Sequence, residues 1–155
     1  MAELLNTDED AVGRMMQDPN ASVALSDAGA HLTFFCDAGF GLHLMGHWSR
    51  DLGKLTLEQA THELTAKPAA IYRIPERGEI KEGFHADLLL FDPKTVGRGP
   101  KRRVHDLPGG APRLTTDAVG VEGVWVNGMR VADAKGPVGA KGDPLPGRVL
   151  RAFGS

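Results

Sequence analysis

Residues 78–92 read GEIKEGFHADLLLFD, and this stretch predicts the fold of the second half of the chain. Gly78-Glu79-Ile80 predicts a first strand, and Lys81-Glu82-Gly83 predicts a turn. The apolar run from Ala86 to Phe91 then predicts a second strand, which is strongly apolar. We therefore expect two paired β-strands directly after the predicted helices of the first half.

The residues that follow predict more strands and two irregular segments. Apolar runs at residues 121–126 and 129–131 flank Asn127-Gly128, which is the strongest short signal for a β-hairpin. Residues 97–116 are basic and rich in proline and glycine, which predicts a long loop. Residues 135–147 predict another irregular connection.

The first half predicts helices around one short strand. Thr7 and the acids after it predict a helix start, because negative charge is favourable at a helix N-terminus. Ala21 to Leu25 predicts a strand buried on both faces. Residues 40–53 predict a loosely patterned helix, and Thr56 to Gln59 form a T-x-x-Q capping box that opens another. A buried strand needs parallel neighbours, and no candidate lies near this one.

Composition excludes several classes of function. The 155 residues carry a net charge of −2, so no nucleic-acid or membrane partner is expected. No run approaches the ~18 apolar residues of a membrane span. The acidic start lacks the features of a signal peptide. Cys36 is the one cysteine, which fits a reducing cytoplasm and favours a buried small residue over a nucleophile.

Asp27 is the most informative candidate for chemistry. It directly follows the predicted buried strand, so its carboxylate would emerge at the strand's C-terminal end, where β/α barrels place catalytic groups. An aspartate in a turn or helix cap is the competing interpretation. His31 lies four residues later, where it can bind a metal, position a substrate or cap a loop.

Two further groups of residues leave alternatives open. His43 and His47 have the i, i+4 spacing of metal ligands on one helix face, but a polar helix face near Trp48 is favoured, because no other ligand is apparent. A basic cluster can bind an anion or another subunit, although a solvated loop is the default. The cluster contains Arg98, Lys101, Arg102, Arg103 and His105.

Four stretches resemble the amidohydrolases of the D-aminoacylase (N-acyl-D-amino-acid deacylase) type. Residues 78–92 match the pattern G-x-I-x-x-G-x-x-A-D-(apolar)₃-F-D, found where those chains leave their barrel for a small β domain. Residues 23–31 resemble the segment around the last barrel strand. Residues 56–71 resemble the helix pair before the β domain, and residues 123–128 resemble the hairpin that closes it.

The resemblance implies an incomplete α/β fold. Residues 1–74 would form the last strand and trailing helices of a β/α (TIM) barrel, which normally has about 250 residues. Residues 75–134 would form a small β-sandwich-like domain with an inserted loop at 97–116, and residues 135–155 a Gly/Pro-rich tail. The family's H-x-H pair, which binds metal, has no counterpart in this sequence.

The resemblance also implies an activity and its residues. Asp27 matches the last-strand aspartate that acts at the zinc centre, where it takes a proton from the activated water and passes it to the leaving amine. The substrate would be an N-acyl-D-amino acid. His43 or Arg50 would take the basic position for its carboxylate, and His31 is a further substrate-binding candidate.

The missing barrel strands imply what this chain does alone. We expect no zinc and no deacylase activity without the rest of the enzyme, and we expect either a homo-oligomer or pairing with the missing barrel half. A non-catalytic, self-associating or partner-binding module derived from the family is the alternative.

Overall fold

The computed structural model describes residues 7–26, 28–140 and 142–151. Helices occupy the first half of the chain and short strands the second, so the fold mixes both types of element. Within the described ranges, no helix is long and apolar enough to cross a membrane.

The first helix, α1, spans Glu9–Met16 and begins one residue later than the sequence predicts. Asp8, not Thr7, is its N-cap, and the Asp8 carboxylate accepts a hydrogen bond of 2.9 Å from the backbone N–H of Ala11. Either residue type can cap a helix, and the acid has the added advantage of lying at the positive end of the helix dipole.

The strand predicted at residues 21–25 is wrong. This segment is extended but pairs with no strand, and Leu25 is 86% exposed with a left-handed φ of 64°. A strand buried on both faces needs hydrogen-bonded neighbours on both sides, and the described part of the chain supplies none here. Asp27, the next residue but one, lies outside the described residues.

Three helical stretches follow and agree with the sequence prediction. Helix α2 spans Phe40–His43 and continues as a π-helix over Leu44–Asp51. Helix α3 spans Leu57–Leu64, and both hydrogen bonds of the predicted Thr56/Gln59 capping box are present. Helix α4 spans Ala66–Ile71.

Eight short strands occupy the described part of the second half. They are β1 (Leu88–Phe91), β2 (Gly97–Arg98), β3 (Arg102–Val104), β4 (Arg113–Thr115), β5 (Ala118–Val119), β6 (Val121–Val126), β7 (Met129–Asp133) and β8 (Gly136–Pro137). A four-stranded antiparallel sheet has the order β1-β6-β7-β8, and β2-β5 and β3-β4 form two-stranded sheets. The hairpin predicted at Asn127-Gly128 is confirmed, because both residues have positive φ and join β6 to β7.

Three predictions about the second half of the chain are wrong. Residues 78–80 form no strand, because Gly78 packs against the α3–α4 connection, where an added Cβ would lie 2.9 Å from the carbonyl oxygen of Thr65. Residues 97–116 contain β2, β3 and β4 and are not one long loop. Arg102 pairs with Asp117 at 2.9 Å and draws the two ends of this segment together. The irregular connection at 135–147 likewise includes β8.

The buried core joins the two halves of the chain. It consists of Leu44, Met45, Leu55, Ala60 and Val96. Val96 immediately precedes β2 and is fully buried. Its packing in the core holds β2 against the π-helix, and a cleft lies between these two elements.

Candidate functional site

A cleft of about 510 Å³ lies between the π-helix and the residues around β2. Its lining is mostly polar and basic: His43, Gly46, His47, Arg50, Asp51, Gly97, Arg98, Gly99, Pro100 and Lys101. Two of the three substrate-binding candidates from the sequence, His43 and Arg50, therefore share one cleft. Pockets that bind small molecules have a similar size.

Gly46 allows the two walls of the cleft to meet. A Cβ on Gly46 would lie 2.6 Å from the carbonyl oxygen of Val96, a distance that side chains do not tolerate. The absence of a side chain thus lets the π-helix lie directly against the chain entering β2. Insertions of π-helix are frequent at functional sites, and this one carries most of the helical wall of the cleft, while His43 is the last residue of α2.

His43 and His47 form the helical wall. Their rings stack with centroids 4.7 Å apart and an angle of 9° between planes, so the prediction that both lie on one helix face is confirmed. His47 Nε2 lies 2.8 Å from a carboxylate oxygen of Glu9, which ties α1 to this wall. Burial lowers the pKa of His43, and the nearby charges of Arg98 and His47 lower it further.

The donors of the Arg50 guanidinium bind other groups of the protein. It donates to both carboxylate oxygens of Asp51, at 2.8 and 3.2 Å, and to the carbonyl oxygen of Val96. The hydrogen bond from Arg50 lowers the pKa of Asp51. These contacts make Arg50 a clamp between the π-helix and β2.

Arg98 and Lys101 form the opposite wall. The guanidinium of Arg98 lies 3.9 Å from a carboxylate oxygen of Asp37, which is beyond the 2.7–2.9 Å typical of a charge-assisted hydrogen bond. Lys101 Nζ lies 5.9 Å from the centre of the Phe35 ring. Both cations therefore retain donors that can face the cleft.

The remaining predicted site residue that the structure describes lies elsewhere. His31 has a left-handed φ of 51° and stacks on Phe34 at 5.1 Å, and it does not line the cleft. Asp27, predicted as the catalytic and metal-binding residue, lies outside the described residues. The sequence did not identify Asp37 or Gly46 as site residues, because their roles depend on contacts with Arg98 and Val96, which are far away in the sequence.

Within residues 7–26, 28–140 and 142–151, no group of three or more His, Cys, Asp or Glu side chains is close enough to hold a metal ion. His43 and His47 lack a third ligand of this kind in that part of the chain. Their stacked rings and the pairing of His47 with Glu9 account for the i, i+4 spacing without a metal. The described residues thus do not complete a zinc centre by themselves.

A family model described as "Amidohydrolase family" matches residues 2–132. Among curated proteins, the chain is 38% identical over 104 residues to an N-acyl-D-aspartate deacylase from Alcaligenes xylosoxydans xylosoxydans, covering 63% of this chain and 19% of that protein. It is 32% identical over 148 residues to an N-acyl-D-glutamate deacylase from the same organism, covering 93% of this chain and 27% of that protein.

Solved structures show the same similarity. An N-acyl-D-glutamate deacylase from Bordetella bronchiseptica, solved with zinc and a phosphonate inhibitor, is 38% identical with a TM-score of 0.57 and covers 74% of this chain and 21% of that one. A D-aminoacylase structure is 32% identical with a TM-score of 0.52 and covers 66% and 20%. The chain spans about a quarter or less of the length of these relatives.

Proposed function

This chain belongs to the amidohydrolase family, and on that premise we propose that it forms the C-terminal part of an enzyme that hydrolyses the amide bond of N-acyl-D-amino acids. The similarity to an N-acyl-D-glutamate deacylase along nearly the whole chain carries this proposal. Residues 1–74 would contribute the end of a TIM barrel, and residues 75–134 a small β domain beside it. Residues 135–155 would form the tail.

Asp27 is the catalytic residue of this proposal. Its carboxylate accepts a proton from the water that attacks the amide carbonyl carbon, and then gives that proton to the nitrogen as the C–N bond breaks. The products are a carboxylic acid and a D-amino acid. Zinc, when bound in the complete enzyme, supplies Lewis-acid chemistry, and Asp27 is our candidate ligand from this chain.

Contacts in the structure support a fixed position for the segment that leads to Asp27. Lys67 Nζ donates to the carbonyl oxygen of Ala21, and the backbone N–H of Val23 donates to Glu63 at 3.4 Å. The segment is therefore held by α3 and α4 although it forms no strand. A proton-transferring carboxylate needs such support, because its reach is one hydrogen bond.

The substrate-binding residues of the proposal differ in availability. His43 faces the cleft with a half-buried neutral ring, and His31 lies in the turn that follows Asp27. The donors of Arg50 already bind Asp51 and Val96. We therefore assign Arg50 to positioning the cleft wall, and we assign contact with the substrate carboxylate to His43 or His31.

The test is Asp27→Asn in the complete enzyme, with release of free D-amino acid from N-acetyl-D-glutamate and N-acetyl-D-aspartate as the assay. We expect kcat to fall by about 10² to 10⁴-fold, the usual contribution of a general acid–base residue, with unchanged unfolding. Asp18→Asn removes a carboxylate nearby and should leave turnover unchanged. Retained turnover in Asp27→Asn would remove the assignment.

The 155-residue chain alone is a second arm of the test. We expect no measurable hydrolysis by it, with or without added zinc, because the remaining parts of the barrel are absent from this sequence. Zinc-dependent hydrolysis by the purified chain would overturn that part of the proposal.

One observation favours a second function, a non-catalytic module that associates with itself or with the missing barrel half. Strand β1 is an edge of the four-stranded sheet, and its leucines Leu88, Leu89 and Leu90 are 37%, 42% and 54% exposed. An exposed apolar edge strand promotes pairing with another chain. Light scattering that gives a monomer mass at working concentration would count against self-association.

A further inference from the structure

The basic cluster of residues 98–105 divides into two groups. Arg102 binds Asp117 with two hydrogen bonds, and Arg103 donates to the carbonyl oxygen of Thr33 at 3.0 Å. His105 Nδ1 lies 3.2 Å from the carbonyl oxygen of Gly110. Arg98 and Lys101 line the cleft instead. The protein therefore uses one part of the cluster to hold its own loops and directs the other part into a cavity.

We propose that the cleft between His43, Arg98 and Lys101 binds a small oxyanion, either a carboxylate or a phosphate group. This inference goes beyond the proposed function, because it concerns binding by this chain and requires no turnover. The proposed deacylase can fail while this site stands, and the site can fail while the deacylase stands.

The charges around the cleft leave positive charge without a close partner. Arg50 and Asp51 neutralise each other, with atoms 2.8 Å apart. Glu9 pairs with His47 at 2.8 Å and does not line the cleft. Among the residues that the structure describes, the one carboxylate paired with Arg98 is that of Asp37, at 3.9 Å. Among the described residues, no carboxylate forms an ion pair with Lys101.

The cleft also has the shape for a compact anion. Gly97 and Gly99 leave its floor without side chains, and the aliphatic stem of Arg98 lies against Gly39, 3.2 Å from where a Cβ would be. The stem contact limits the conformations of Arg98, whose side chain is 24% exposed. A guanidinium held in this way, in one cleft with the ammonium of Lys101, suits bidentate binding of a carboxylate or phosphate.

His43 reports on the charge in the cleft. Its pKa is lowered first by burial and then by the positive charges of Arg98 and His47, against weaker opposing effects of Asp37 and Glu9. An anion placed between Arg98 and His43 would offset those positive charges. Its arrival should therefore raise the pKa of His43.

The experiment is an NMR titration of the full chain. The imidazole Cε1–H signal of His43, assigned with His43→Asn, is followed against pH at several concentrations of inorganic phosphate and, separately, of succinate, with ionic strength held constant by chloride. We expect a saturable rise in the His43 pKa with at least one anion. Saturation by phosphate or by succinate identifies the preferred group, and either result supports the site.

Variants decide whether the anion binds in this cleft. Arg98→Gln should weaken binding at least tenfold, and Lys101→Gln, at an exposed position, should weaken it less. Arg14→Gln removes the same charge from the exposed face of α1 and should leave affinity unchanged. If Arg98→Gln unfolds, Lys101→Gln against Arg14→Gln makes the same comparison. No saturable shift with either anion, or equal loss in Arg14→Gln, would overturn the proposal.

Discussion

The ion pair between Glu63 and Lys67 supports the sharpest prediction about stability. Their side chains are 11% and 17% exposed, and Lys67 Nζ lies 2.6 Å from a carboxylate oxygen of Glu63. The same two side chains hold the backbone of Ala21 and Val23. The pair therefore links α3 and α4 to the segment that precedes Asp27.

Replacing Lys67 by methionine keeps most of the apolar stem and removes the charge. Glu63 would then be a buried carboxylate without a cation, and the carbonyl of Ala21 would lose its donor. Breaking a buried pair in this way costs about 3–5 kcal/mol. Because both side chains keep some contact with water, we expect a loss of about 3 kcal/mol, against about 0.3–0.5 kcal/mol for an exposed i, i+4 pair.

The assay is equilibrium urea unfolding of the full chain, followed by far-UV circular dichroism. Lys54→Met is the matched control, because its partner Asp10 is exposed, and it should cost less than about 1 kcal/mol. Removing both charges in Glu63→Leu/Lys67→Met should restore most of the loss. A cost for Lys67→Met no larger than the control would refute the reasoning, since it would mean that water solvates the pair.

Three further predictions concern the hairpin, the core and pH. Gly128→Ala should cost about 1–2 kcal/mol in urea unfolding, because alanine is strained at φ 80°. Gly147→Ala, where φ is not left-handed and no atom lies within 4 Å of an added Cβ, should be nearly neutral, and equal effects of the two variants would contradict this. Leu44→Ala should cost about 2–5 kcal/mol by the same method, because the Leu44 side chain is buried in the core and is 2% exposed. A cost below about 1 kcal/mol would show that Leu44 does not pack in the core. Since the pKa of His43 is lowered by folding, the unfolded chain binds its proton first, so stability should fall as pH drops below about 6.5, the unperturbed value. His43→Asn should flatten that slope, and an unchanged slope in melting temperature between pH 7 and 5 would argue against it.

Local signals predicted the parts of the fold that depend on a few neighbouring residues. The Thr56/Gln59 capping box and the Asn127-Gly128 hairpin both form as the sequence indicates. Each is determined by side-chain and backbone geometry within about four residues. The apolar run that ends at Phe91 also forms a strand, although it pairs with β6 and not with residues 78–80.

The wrong predictions of strands at residues 21–25 and 78–80 concern contacts between distant residues. Residues 21–25 have the composition of a buried strand, but a strand needs partners, and the described part of the chain places none beside them. Gly78 is drawn to Thr65 and Ala69 by packing that no periodicity reveals. Composition therefore predicted which residues prefer to be extended, and tertiary contacts decided which of them pair.

The candidate site divides in the same way. The spacing of His43 and His47 predicted that both lie on one helix face. The basic composition near residue 100 left open a site for an anion, a contact with another subunit or a solvated loop. The sequence could not show that Arg98 lines the same cleft as His43. It also could not show that Arg102 forms a hydrogen bond with Asp117 instead. That choice depends on how β2 docks on the π-helix, and both β2 and β3 are too short to predict from alternation.

Val96 links the stability of the protein to the shape of the cleft. Its side chain is fully buried in the core, and its carbonyl oxygen accepts a hydrogen bond from Arg50. The same oxygen lies 2.6 Å from where a Cβ of residue 46 would be. One residue thus fixes the distance between the two walls of the cleft. Because packed cores respond even to the loss of one methylene, Val96→Ala should change both the unfolding free energy and the anion affinity of the cleft. Arg98→Gln acts on one wall alone, so it should lower anion affinity and leave the core unchanged.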